Sequence, residues 1–322
     1  MAEAYYSFIF CYFCFSDKMK VMEQYTSNIY KSKDGRHLLH NLYRKYLMAI
    51  DVPVRECMVE TSFGDTHIVR YGNPHGKPLL AFYGELAFNP LAILPFTKIL
   101  DLDKIQLIVP DPVGQIGFSA ENPLSFSKKE YSEWAIQIMN GLDLQTVSVL
   151  GYSFGGNIAL QLCANAALRI ERLLLMMPGG IASASSSKSA KLTKPALLRD
   201  EKEITDEVVK KALLPILTFQ QEDIVEATKM IFLHAIVGKT SLSDIKKKEI
   251  KKFRSPVYLI AEKSDYLFPG ESIQKKAQKI IPRLEGSRML KLGCHCGLFE
   301  ENDNEDLKEA CNAINDFLLR TF

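Results

Sequence analysis

Residues 147–156 read Val147-Ser148-Val149-Leu150-Gly151-Tyr152-Ser153-Phe154-Gly155-Gly156. A run rich in apolar and β-branched residues leads straight into G-x-S-x-G, and small and apolar residues with a helical period follow. A strand that turns this sharply into a helix needs glycine at Gly151 and Gly155, because a side chain there would meet neighbouring backbone. Ser153 is then held on a strained turn with its hydroxyl exposed. It also faces a helix N-terminus, whose free N–H groups favour developing negative charge. A Gly-rich phosphate loop is the bland alternative, and the strand before and helix after the motif argue against it. Ser153 is the candidate nucleophile.

Working outward, similar short runs recur at Cys57–Ser62, Thr66–Tyr71, Pro78–Tyr83, Ile105–Pro110, Arg172–Met176, Val257–Ala261 and Arg288–Leu292. Phe63-Gly64-Asp65 has turn chemistry, so the first two read as a hairpin. The later runs are almost continuously apolar, as strands covered on both faces must be. Helical patterns lie between them. Ser127-Lys128-Lys129-Glu130 reads as a capping box opening a helix through Trp134 to Leu142. Gly155–Arg169, Glu271–Ile281 and Glu305–Arg320 are the others. This alternation predicts a mostly parallel sheet flanked by helices.

Residues 179–254 interrupt the pattern. A Ser- and Ala-rich stretch, Ile181–Ser189, reads as a mobile connector, and helical segments follow near Ile204–Leu214, Glu222–Val237 and Leu242–Phe253. A helical insert between two strands would sit over the carboxyl edge of the sheet, where sites form. The expected organisation is an N-terminal, partly helical extension over 1–50, a core over 51–178 and 255–322, and a helical lid over 179–254.

On the elbow, the strand–helix alternation and two further motifs, the chain resembles the α/β-hydrolase superfamily, over about Cys57 to Phe322. Thr61-Ser62-Phe63-Gly64-Asp65-Thr66-His67 is similar to the T-x-F-G-x-T-H hairpin of its bacterial carboxylesterase-like branch. Asp111-Pro112-Val113-Gly114-Gln115-Ile116-Gly117-Phe118-Ser119 resembles a second family turn, of D-x-x-G-x-x-G-x-S type. The resemblance implies an eight-stranded, mostly parallel sheet with the lid inserted after the sixth strand. It also implies a triad in the order serine, acid, histidine. Glu262-Lys263-Ser264-Asp265-Tyr266-Leu267-Phe268-Pro269 is similar to the family's G-x-x-D-x-x-x-P turn, which puts Asp265 in the acid position. Glu262, standing where that pattern has glycine, is the rival. After the last strand, Gly293-Cys294-His295-Cys296-Gly297 places His295 in the base position. The oxyanion hole implied by the family uses backbone N–H groups of Phe154 and of Glu85, with Leu86 as rival to the latter. Tyr83-Gly84-Glu85 stands where many members carry His-Gly-x.

Other readings fall away. Cys294 and Cys296 flank His295, but neighbouring side chains on an extended segment point in alternating directions, so three metal ligands would not converge. Gly238-Lys239-Thr240 lacks the first glycine of a phosphate loop, because Leu233 stands there. Lys246–Lys252 reads as a solvated helix face. His37, His40, His67, His75 and His234 are expected to be structural or exposed. No metal or organic cofactor is implied.

The 322 residues are 47% apolar and 24% charged, an ordinary globular composition that excludes disorder and low complexity. Forty basic against 38 acidic residues give a charge of +2, too little to hold a nucleic-acid backbone. No apolar stretch reaches the roughly 20 residues needed to span a bilayer. Seven cysteines do not make a disulfide scaffold, there is no Asn-x-Ser/Thr sequon, and a reducing cytoplasm fits best. The aromatic run Tyr5–Phe15 lacks a basic leader and a small-residue cleavage site. It reads either as an over-long start, with Met19 and Met22 downstream, or as a peripheral anchor. Cys11-x-x-Cys14 lacks a second pair for zinc.

The expected function is hydrolysis of a carboxylic ester with a small or medium apolar acyl group, through an acyl-enzyme on Ser153 with Asp265 and His295. Tyr83, Phe88, Phe118 and Leu267 are expected to line the substrate pocket, from their positions near strand ends. The same triad could serve an acyltransferase, thioesterase or C–C bond hydrolase. A ligand-binding protein on the same fold is the non-catalytic alternative. The expected partner is a small-molecule ester, without nucleic acid or stable membrane insertion. The oligomeric state is left open.

Overall fold

The computed structural model describes residues 25–125, 129–183, 186–198, 200–217, 221–237, 242–299 and 304–321. The aromatic run with Cys11 and Cys14, the capping residue Ser127 and the Gly238-Lys239-Thr240 stretch lie outside these residues.

A sheet of eight strands runs through the molecule: β1 (Val54–Val59), β2 (Thr66–Gly72), β3 (Lys77–Phe82), β4 (Ile105–Pro110), β5 (Val147–Tyr152), β6 (Ile170–Met176), β7 (Val257–Glu262) and β8 (Leu284–Leu290). Its order is β1-β2-β4-β3-β5-β6-β7-β8. Only the pairings of β2 are antiparallel, to β1 and β4; the others are parallel. β5 lies between β3 and β6, and every one of its residues is buried. That burial is why its sequence, apart from Ser148, is uncharged and largely apolar and not a regular alternation.

The helices are α1 (Lys33–Met48), α2 (Asn89–Ile99), α3 (Glu130–Gly141), α4 (Gly155–Asn165), α5 (Ser186–Thr193), α6 (Asp206–Leu213), α7 (Glu222–His234), α8 (Lys247–Ile250), α9 (Gly270–Ile280) and α10 (Glu305–Leu319). Tyr43 of α1, Phe96 of α2 and Ile314 of α10 belong to one apolar core; Trp134 of α3, Ile158 of α4 and Ile273 of α9 belong to the other. The sheet thus has helices on both faces, as the alternation predicts.

Several elements differ from the sequence expectation. β1 begins earlier than Cys57, at Val54, and β8 spans Leu284–Leu290 in place of Arg288–Leu292. Both are edge strands with polar outward residues, so an apolar count misplaces them. The helix expected from Ser127 starts at Glu130, with Lys129 at its N-cap in a left-handed conformation. The Glu130 carboxylate accepts from Ser125 N–H at 2.6 Å, so it still serves the chain entering the helix. The connector expected over Ile181–Ser189 includes the start of a helix, α5. Only Lys247–Ile250 of the segment Leu242–Phe253 is helical. Its lysines are exposed while Ile245, Ile250 and Phe253 are buried, as expected of a solvated face.

Elements α5 to α8 form the insert between β6 and β7. Residues preceding α1 tie it down: Lys31 N–H donates to His234 O at 2.8 Å and Ile236 N–H to Ile29 O at 2.7 Å. Tyr30, 2% exposed, bridges to Ala235 and donates its hydroxyl to Gly117 O at 3.0 Å. α7 is therefore anchored to the core through this N-terminal strap. Among the described residues no helix is long and apolar enough to cross a membrane.

Candidate active site

Ser153 follows β5 directly and has φ of 54°, a left-handed conformation rare for a residue with a side chain. The turn is held by Ser153 N–H to Met176 O at 3.2 Å, and by Gly156 and Gly179 N–H groups donating to Ser153 O. Glycine is required on either side. A Cβ on Gly155 would lie 2.0 Å from Phe82 O, and one on Gly151 would lie 2.8 Å from Ala159 Cβ. The strained conformation has a use: it lifts the hydroxyl off the strand end at the start of α4.

Asp265 lies on the turn after β7. Its Oδ1 accepts from Leu267 N–H at 2.8 Å and Phe268 N–H at 2.9 Å, which leaves Oδ2 to face His295. His295 Nδ1 is 2.6 Å from that oxygen, and its Nε2 is 2.9 Å from Ser153 Oγ. A carboxylate only accepts, so the proton belongs on Nδ1, and Nε2 is free to accept from the serine hydroxyl. The imidazole is also clamped by rings. Tyr152 stacks on it at 5.7 Å with an 8° tilt, and Phe268 meets it edge-on at 5.4 Å. All three polar side chains are buried, which strengthens each bond by excluding water. Burial pushes the Cys296 thiol well above its ordinary value, and its bond to Tyr152 only partly offsets this, so a reactive thiolate beside His295 is disfavoured.

Glu262, the rival acid, does not face the imidazole. Its oxygens accept backbone N–H bonds from Ser264 and Leu292. Among the described residues no group of three His, Cys, Asp or Glu side chains is arranged to hold a metal.

A cavity of about 450 Å³ opens at this triad. Ser153 and His295 form one end, with Gly84, Glu85, Leu86 and Phe154 beside them. A Cβ on Gly84 would lie 3.5 Å from Ser153 Oγ, so both expected oxyanion loops border the nucleophile. The rest of the wall is mainly apolar, with Leu91 and Ala92 of α2, Leu213 of α6 and Ala227, Ile231 and Phe232 of α7, and includes the hydroxyl residues Thr193 and Thr228.

Of the four residues expected to line the pocket, only Leu267 does. Tyr83 and Phe88 are buried in the core, 2% and 0% exposed, and Phe88 packs against Tyr43 and Tyr46 of α1. Phe118 joins a different aromatic group, with His40, Tyr43 and His67, under the Arg44 guanidinium. The cause is common to Phe88 and Phe118: α1 covers this flank of the sheet and draws their rings away from the site. Sequence reasoning also missed the cavity residues of α2. Pro90 at the helix start was the available signal.

The remaining histidines stand apart from the triad. His67 is buried between Asp111 and Glu56, His40 bonds Tyr30 and Gly117, and His37 and His75 are exposed. His234 lies at the end of α7, where its carbonyl holds the strap.

The sequence profile of the α/β-hydrolase fold matches residues 96–217. An uncharacterized carboxylesterase, nap, of Bacillus subtilis is 23% identical over 165 residues, 51% of this chain and 50% of that protein. The 2-hydroxymuconate semialdehyde hydrolase of Pseudomonas putida is 35% identical over 108 residues, 33% of this chain and 38% of that protein. The chain thus spans half or less of the length of these curated relatives. The crystal structure of naproxen esterase from Bacillus subtilis superposes with a TM-score of 0.74 at 16% identity, covering 88% of this chain and 100% of that one. With its eight-stranded order and its serine elbow the chain has the α/β-hydrolase fold, and it is similar to carboxylesterases of that fold.

Proposed function

We propose that the protein is a serine hydrolase that cleaves a carboxylic ester with a small or medium apolar acyl group. The observation that carries this is the unbroken line Asp265–His295–Ser153, with bonds of 2.6 and 2.9 Å, ending in an apolar cavity. His295 Nε2 takes the hydroxyl proton as Ser153 Oγ attacks the ester carbonyl. Asp265 holds the proton on Nδ1 and stabilises the imidazolium. The Phe154 and Glu85 N–H groups receive the oxyanion, and His295 then protonates the departing alcohol. Water deprotonated by His295 attacks the acyl-enzyme, releases the acid and returns the proton to Ser153. The insert, whose α6 and α7 residues roof the cavity, serves as the lid and sets acyl size. No lysine or arginine lines the cavity among the described residues, which favours an uncharged substrate over an anionic one. Ser153→Ala is expected to lower kcat on p-nitrophenyl butyrate by about 10³-fold or more. Full activity in that variant contradicts the proposal.

A further inference from the structure

Glu262 is the last residue of β7 and is fully buried, 0% exposed. Its two carboxylate oxygens serve two different loops. Oε1 accepts from Ser264 N–H at 2.9 Å, and Oε2 accepts from Leu292 N–H at 2.7 Å. Ser264 adjoins Asp265, while Leu292 precedes the Gly293 turn, with φ of 85°, that delivers His295. The ladder between β7 and β8 ends at the Glu262–Leu290 pair, with Lys263 N–H donating to Leu290 O at 3.0 Å just past it, and the Glu262 side chain extends this connection to Leu292.

We infer that Glu262 is a positioning residue: its one carboxylate fixes the spacing of the Asp265 and His295 loops, and through it the bond between their side chains. The inference rests on the hydrolytic reading above. Burying a carboxylate is costly unless it is hydrogen-bonded, and bonds with one ionised partner are about twice as strong as neutral ones. The two N–H bonds thus offset that cost while joining the loops. A residue without an acceptor would leave the buried Leu292 N–H unpaired.

Glu262→Gln keeps the volume but turns one acceptor into a donor facing an N–H group. Glu262→Asp keeps the charge and both oxygens but shortens the reach. In the full chain, at a temperature where circular dichroism reports folded protein, kcat of Glu262→Gln on p-nitrophenyl butyrate is expected to fall about 10- to 100-fold, with KM nearly unchanged. Glu262→Asp is expected to recover part of that loss. The downfield proton resonance of His295 Nδ1–H is expected to move upfield in both. A residue that only stabilises the fold would lower Tm and leave kcat and this resonance in place. Wild-type kcat in folded Glu262→Gln overturns the inference. So does failure of both variants to fold, since Glu262 would then hold the fold and not the pair. Loss of the hydrolytic reading is distinguishable: it appears as activity that Ser153→Ala retains, while the Nδ1–H resonance still reports on Glu262.

Discussion

His67 sits between two carboxylates, Nδ1 2.9 Å from Asp111 Oδ2 and Nε2 2.7 Å from Glu56 Oε2. Burial works to lower its pKa, but the bonds and charges of Asp111 and Glu56 together raise it above the ordinary histidine value. Burial likewise opposes the charge on Glu56, yet Arg44 and His67 hold that carboxyl below its usual range. A base whose pKa rises on folding contributes stability that is fully present below its unfolded value, about 6.5, and is lost as pH rises through the folded value. The stability difference between wild type and His67→Gln, from urea denaturation, should therefore be large near pH 6 and shrink at higher pH. A difference that grows with pH contradicts this assignment. At this scale the candidates Ser153, Asp265 and His295 were legible because each follows a strand in a fixed chain order with glycine or proline nearby. Glu262 and Tyr152 were not, because their roles depend on which loop or ring faces them, and residue order does not encode that.

Among the elements, legibility followed burial. β5, β6 and β7 are covered on both faces and read as apolar runs, whereas β1 and β8 carry Arg55, Glu56, Glu285 and Arg288 on edges. α2 escaped because Asn89–Ile99 is apolar all round and contains Pro90 and Pro95, so it has no amphipathic period. Its concealment also hid Leu91 and Ala92 of the cavity wall. α7 adds Ala227 and Ile231 to the wall and is pinned at its C-terminal end by the strap at Tyr30. Under the proposed ester hydrolysis, a fixed wall would make the cavity a gauge for acyl length. Ala227→Phe should lower kcat/KM for p-nitrophenyl octanoate at least about tenfold relative to the acetate, a loss of about 1.4 kcal/mol in transition-state binding. Unchanged chain-length preference in the folded variant would show that the acyl group does not lie against α7.

At the level of the whole molecule, the parallel sheet brings the ends of β5, β7 and β8 to one rim, and residues 153, 265 and 295 meet there across long stretches of chain. The insert after β6 covers the same rim, so the sheet assembles the polar line and the insert encloses it in largely apolar surface. The mostly parallel, helix-flanked sheet followed from strand–helix alternation; the inward faces of the insert did not, because they depend on tertiary packing. The central claim is that Ser153 is activated by His295. Labelling the full chain with an alkyl fluorophosphonate and mapping the adduct by mass spectrometry tests it directly. The account predicts a single phosphonyl group on Ser153 in wild type and none in folded His295→Ala. Folded wild-type protein that stays unlabelled, or carries the adduct on another residue, contradicts it.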